Sequence, residues 1–167
     1  ERFCREARAA ARVMHENVVT IHHVEYDEVK ELSYIVMQFV NGVSLQERLD
    51  QEGKLPVREM VRISLQIASG LAAAHEQKLI HRDIKPGNVL LERSGRVLLT
   101  DFGLARAAER DDKLTQTGFV AGTPLFMSPE QARGEVLDLR TDLFSLGGVM
   151  YAMATGKPPF EGSSPYV

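Results

Sequence analysis

The sequence predicts an α+β chain, and three observations carry that prediction. A long amphipathic helix stands mid-chain, short β-branched runs lie on either side of it, and a second helix with a defined stop lies near the end. Residues 1 to 14 are rich in Ala, Arg and Glu, good helix formers, and predict an opening helix. Val18 to Tyr26 and Leu32 to Val40 are apolar and β-branched around a charged turn beginning at Asp27-Glu28, the pattern of a hairpin. Asn41-Gly42 breaks that pattern. Pro56 suits the start of a helix, where its missing N–H costs nothing. Val57, Val61, Leu65, Ala68, Leu71, Ala72 and His75 follow at three- and four-residue spacings, predicting one apolar face through about Gln77. Val89 to Leu91 and Val97 to Leu99 flank the turn Ser94-Gly95 and predict a second hairpin. Residues 104 to 127 are polar and aperiodic, as in a loop. The last helix is predicted from about Arg140 to Thr155, ended by Gly156 and Pro158-Pro159.

Bulk composition narrows the function. With 167 residues the chain can bury one core, and 44% hydrophobic with 26% charged residues is ordinary for a soluble globular protein. A net charge of −3 argues against a nucleic-acid or anionic-membrane partner. Cys4 is the only cysteine, so no internal disulfide forms, and a reducing, cytoplasmic compartment fits. No stretch approaches the roughly 20 apolar residues of a membrane span. The chain opens on Glu1 without Met or a signal-peptide pattern, as a piece of a longer protein would.

The chemistry concentrates in His81-Arg82-Asp83-Ile84-Lys85-Pro86-Gly87-Asn88 and in Asp101-Phe102-Gly103, which begins thirteen positions after Asn88. Phosphoryl transfer needs a carboxylate to orient a hydroxyl nucleophile and oxygen ligands to hold Mg²⁺ on the phosphates. Asp83 suits the first task, and Asn88 with Asp101 the second. Alone, Asp83 beside Gly and Pro would read as a turn cap, and Asp-Phe-Gly as an ordinary turn. Lys85 and Asn88 at +2 and +5 make the catalytic reading the better one, with Lys85 reaching the γ-phosphate.

These segments resemble the catalytic loop and Asp-Phe-Gly segment of protein kinases. The resemblance implies a two-lobed kinase-like fold truncated at both ends: helix C and two strands of the N-lobe in 1–40, and most of the helical C-lobe in 41–167. A lysine at position 85 implies a Ser/Thr kinase, and His81 would be a packing residue. Tyr34 to Val40 is similar to the strand and hinge that contact adenine. On that match Met37 is the gatekeeper, the backbone of Gln38 and Val40 bonds the purine edge, and Leu90 packs on the other face of the base. Gly122-Thr123-Pro124 and Ser128-Pro129-Glu130 are similar to the loop that seats a substrate peptide, with Thr123 and Glu130 as its platform. Asp142 to Gly147 resembles the central C-lobe helix, with Asp142 tying down the catalytic-loop backbone.

Phe3-Cys4-Arg5-Glu6-Ala7 resembles helix C, with Glu6 as partner of the ATP-binding lysine. That placement puts Ala10 and Ile21 in a stack ending in His81, Phe102 and Asp142, where the small Ala10 is expected either to need a neighbouring filler or to leave the active state less secure. Thr115 and Thr117 occupy the place of activating phosphates, and Arg2, Arg82 and Arg106 could converge on one.

The glycine-rich loop and ATP-binding lysine of such kinases are not in the sequence, nor are the helices that would follow Val167 or the arginine partner of Glu130. The expectation is that the isolated 167-residue chain has little activity, and that strand 33–38 exposes an edge. ATP and Mg²⁺ are the implied cofactors and protein Ser/Thr hydroxyls the implied substrates, with no nucleic acid. The style of the motifs resembles bacterial receptor-type kinases, which implies a cytoplasmic domain that a membrane anchor outside this chain could hold. Two alternatives stay open: a non-catalytic pseudokinase or scaffold, and a small-molecule phosphotransferase of the aminoglycoside-kinase type. Residues 122–130 and 142–147 argue against the latter.

Overall fold

The computed structural model describes residues 7–27, 30, 32–102 and 124–160. The predicted opening helix is seen from Ala7, is helical through Ala10, and closes with a turn at residues 11–12, earlier than expected. The Ala11 N–H still donates to Ala7 O at 2.9 Å, and Val13 N–H donates to Ala10 O in the tighter spacing of a helix end. Residues 13–20 then run to the first sheet. Leu99 N–H donates to Asn17 O, and Val19 N–H donates to Leu99 O, both at 2.9 Å.

Strands β1 (Ile21–Asp27) and β2 (Leu32–Met37) pair antiparallel as a two-stranded sheet, with a register irregularity between Ile21 and His23. This is the first predicted hairpin, but β2 stops at Met37, short of Val40. The chain breaks out of this hairpin before Gly42 as expected, and an unexpected strand follows at once. Strand β3 (Gly42–Ser44) pairs with β4 (Val89–Glu92), which pairs with β5 (Val97–Leu99) in a three-stranded sheet. Gly42 works there because it has no side chain: a Cβ on it would run into the Leu91 carbonyl oxygen.

Helix α1 (Leu45–Glu52) lies outside the sequence reading. Ser44 caps it: Glu47 N–H donates to Ser44 Oγ at 3.1 Å, and Ser44 N–H donates to Glu47 Oε2 at 2.7 Å. Helix α2 (Val57–Glu76) follows, with Pro56 as its N-cap. Its length matches the expectation and its buried face does not. Ile63, Ser64, Ile67, Gly70, Leu71 and Ala74 face inward, whereas Val57 (71% exposed), Val61 (45%) and Leu65 (66%) face out. Close approach explains the rotation. Gly70 packs so near the 15–18 segment that a Cβ would sit 2.8 Å from Asn17 O, so small residues lie where the helix is pressed hardest.

Asn17 Nδ2 donates to Val97 O (2.8 Å) and Gln66 Oε1 (3.1 Å), and Gln66 Oε1 also accepts the Val97 N–H (2.9 Å). One buried amide thus joins the first segment, α2 and β5. The short helix α3 (Pro129–Ala132) and helix α4 (Arg140–Thr155) complete the described chain. Gly156 takes φ 74° and closes α4 by donating to Ala152 O. Ile63, Ile67 and Leu71 of α2 share one core with Val149 and Met153 of α4. Each fully buried large side chain there contributes roughly 1.5–3 kcal/mol.

Candidate active site

The segment between α2 and β4 carries residues 81–88, and the end of β5 carries Asp101 and Phe102. Two of its residues sit in the left-handed backbone region: Arg82 at φ 67° and Asp101 at φ 61°. Non-glycine residues adopt that region at a cost, and such outliers cluster where surrounding contacts force a functional geometry.

Those contacts can be traced. The fully buried Asp142 of α4 accepts three hydrogen bonds: from His81 N–H (2.9 Å) and His75 Nε2 (2.7 Å) on Oδ2, and from Arg82 N–H (2.8 Å) on Oδ1. Three N–H donors replace the water this carboxylate gives up on burial. The expected tie between Asp142 and the catalytic-loop backbone is present, with His75 added from the last turn of α2.

His81 is wholly buried, and burial pushes its pKa below the ordinary histidine value. Its partners fix a neutral tautomer: Nε2–H donates to Thr100 O at 3.0 Å, and Nδ1 accepts the Asp83 N–H at 3.4 Å. Its ring lies 4.3 Å from that of Phe102, tilted by 38°. His81 therefore packs and bridges.

Asp83 is half-buried. Its Oδ2 meets Lys85 Nζ at 2.8 Å and Asn88 Nδ2 at 2.9 Å, and its backbone carbonyl accepts Asn88 Nδ2 at 2.7 Å. A short turn of 3₁₀ helix, Pro86–Asn88, bends the chain so that Asn88 comes back over Asp83. Because both Asn88 bonds use Nδ2, its carbonyl Oδ1 remains as an oxygen donor. Asp101 is exposed, with Thr100 Oγ1 donating to its Oδ1 at 3.5 Å. The sequence-predicted set Asp83, Lys85, Asn88 and Asp101 thus spans one strand pair, and the first three are in mutual contact.

At the other wall, Thr100 Oγ1 contacts Met37 Sδ at 3.9 Å. Met37, Ala10, Ile21, Phe102 and Asp101 line one small recess with Val19, Ile35 and Thr100, with a volume of about 10 Å³. That is near the smallest volume that admits one water. Gln38 N–H is committed to Thr20 O (2.8 Å), Val40 and Leu90 are half-buried, and Leu90 pairs with Ser44 and Leu98 across the sheet.

Glu130, opening α3, accepts from Thr141 Oγ1 at 2.7 Å. That bond and its own backbone N–H hold its carboxyl below the usual range. Arg2, Glu6, Arg106, Thr115, Thr117 and Thr123 lie outside the described residues.

Two residues of this site escaped the sequence reading. His75 appeared only as part of an apolar face, and its bond to Asp142, 67 residues along the chain, has no local pattern to announce it. Gln131 Nε2 donates to Arg82 O at 2.7 Å. Its signal was the Ser128-x-x-Gln131 capping pattern.

The family model described as the protein kinase domain matches residues 1–166. The chain is 41% identical over 167 residues to serine/threonine-protein kinase PknB of Mycolicibacterium smegmatis, covering 98% of this chain and 27% of that protein. It is 40% identical over 167 residues to PknB of Mycobacterium tuberculosis, with the same coverage. Among solved structures, the Mycobacterium tuberculosis PknI kinase domain superposes with a TM-score of 0.78 at 30% identity, covering 98% of this chain and 58% of that one. The chain thus spans about a quarter of the length of the curated relatives it matches.

Proposed function

The chain belongs to the protein kinase domain family, and from that premise we propose that the complete protein moves the γ-phosphate of ATP to Ser or Thr hydroxyls of proteins. One observation carries the reading: Lys85 and Asn88 converge on a single oxygen of Asp83. That hold fixes the carboxylate plane and leaves Oδ1 to accept the hydrogen bond of an incoming hydroxyl. Asp83 orients the nucleophile, while the Lys85 ammonium lies close enough to stabilise charge on the transferred group.

The family works with ATP and a divalent metal, and the donor set here fits Mg²⁺. Asn88 Oδ1 and the Asp101 carboxylate are hard oxygen donors, and Mg²⁺ takes few protein ligands, completing its shell with water and phosphate. Bound there, the metal would neutralise charge on the phosphates. Met37, Val40 and Leu90 would enclose the base. With the Gln38 N–H taken by Thr20, the Gln38 carbonyl and the Val40 backbone would bond the purine edge.

We place the division between lobes at residue 40, with 1–40 above the nucleotide and 41–167 below. Thr123 and Glu130 would seat the peptide, and Glu6 would pair with an ATP-binding lysine. Phosphate on Thr115 or Thr117 would gather Arg2, Arg82 and Arg106. Among the described residues no helix is long and apolar enough to cross a membrane, and the reaction fits the cytoplasm, where ATP is found.

The test is transfer of labelled γ-phosphate from ATP to a general protein acceptor by the complete protein, followed by phosphoamino-acid analysis. Label on Ser or Thr, abolished by a chelator and lowered about 100-fold or more by Asp101→Asn, is the expected result. Label on a small-molecule alcohol alone would sink the reading.

A further inference from the structure

We propose that Gln131 is a positioning residue for Asp83, acting through the peptide group that joins Arg82 to Asp83. The inference rests on the reading of Asp83 above and adds a residue to it. Arg82 holds an unfavourable left-handed conformation, φ 67°, so its two flanking peptides need external restraint. One is secured at its N–H by Asp142 Oδ1, 2.8 Å away. The other, whose rotation would swing Asp83, is secured at its carbonyl by Gln131 Nε2 at 2.7 Å, while its N–H makes only a 3.4 Å contact to His81 Nδ1. Asp142 and Gln131 thus grip Arg82 from α4 and α3.

The Gln131 side chain is itself immobilised. Its Oε1 accepts the Ser128 N–H at 3.0 Å, and its backbone N–H donates to the buried Ser128 Oγ at 3.3 Å. Both ends of one amide are therefore in use, one closing the N-terminus of α3 and the other reaching 49 residues back to the catalytic loop. The residues proposed to seat substrate are thereby coupled to the residue proposed to orient its hydroxyl.

The two ends can be separated by substitution in the complete protein. Gln131→Glu keeps the acceptor for Ser128 N–H and removes the donor to Arg82 O. Gln131→Ala removes both without adding charge. The clamp predicts that both variants lower kcat about tenfold or more, the scale on which misplaced catalytic groups act, while KM for ATP stays within about twofold. Amide exchange should accelerate at residues 81–83 in both, and at 128–132 only in Gln131→Ala. Wild-type kcat in either variant, or unchanged exchange at 81–83, overturns the clamp. If wild type itself transfers no phosphate, the kinase reading fails instead, while the exchange pattern still decides whether Gln131 holds the loop.

Discussion

At the scale of single residues, the site is organised by buried groups whose hydrogen-bond partners are fixed. His81 illustrates the consequence for pH. Its folded pKa lies below the ordinary value of 6.5 because burial disfavours the charged ring. Below about pH 6.5 the unfolded chain therefore binds a proton that the folded chain refuses, and stability falls as pH drops. Above that value the contribution is complete. Thermal unfolding followed between pH 7.5 and 5.5 should show a falling Tm in wild type. His81→Gln should be less stable throughout but show a shallower slope. Equal slopes for the two proteins would remove His81 as the source. The acid window of Glu130, whose carboxyl is held low by Thr141, lies further down, below the usual carboxylate range, and does not overlap this one.

At the scale of elements, the two glycines Gly70 and Gly147 make opposite predictions from the same substitution. Both sit in helices, where replacing Gly by Ala ordinarily stabilises by about 0.5–1 kcal/mol. Gly147 lies on the open side of α4 with no atom near its absent Cβ, so Gly147→Ala should raise the urea midpoint by about that much. A Cβ on Gly70 would lie 2.8 Å from Asn17 O and 3.2 Å from Leu99 Cδ1. Gly70→Ala must push α2 off a backbone oxygen and should cost roughly 1–3 kcal/mol. A rise in midpoint for Gly70→Ala would show that α2 does not press on the 15–18 segment as described.

The same elements mark what local patterns revealed. Length, caps and β-branched runs located α2, α4 and both hairpins, because those signals are written in neighbouring residues. The inward face of α2 was not legible, since it is chosen by a contact with Asn17 far along the chain and favours Gly70, Ser64 and Ala74 over the larger Val57, Val61 and Leu65. Helix α1 was legible in principle through Ser44-x-x-Glu47, but the Asn41-Gly42 signal obscured it. Asp83, Asn88 and Asp101 were found by their spacing. Gln131 and the role of His75 depend on hydrogen bonds spanning 49 and 67 residues, which no local pattern encodes.

At the scale of the whole molecule, the described chain holds two sheets of different security. Strand β5 of the three-stranded sheet is buried against α2, with Val97, Leu98 and Leu99 essentially inaccessible. The two-stranded sheet carries Tyr26, Leu32, Tyr34, Val36 and Met37 at 40–56% exposure. Among the described residues β2 pairs only with β1, and an edge strand with this much exposed apolar surface invites pairing with another chain. The 167-residue chain on its own should self-associate with rising concentration in light scattering, and Val36→Lys, a charge on that strand, should reduce it. Association indifferent to this change would place the sticky surface elsewhere, for example on the exposed Val57, Val61 and Leu65 of α2.

All three scales meet at Asp83, whose carboxylate is gripped by Lys85 and Asn88, and whose loop is tied to α4 through Asp142 and to α3 through Gln131. The measurement that tests this most directly is single-turnover phosphate transfer from ATP to a protein acceptor by the complete protein, comparing wild type with Asp83→Asn. Asparagine is nearly isosteric but cannot take up the hydroxyl proton, so nucleotide affinity should be retained while the transfer rate falls about 100-fold or more. A variant that transfers phosphate at the wild-type rate would contradict the assignment of Asp83, and with it the chemistry assigned to the whole loop.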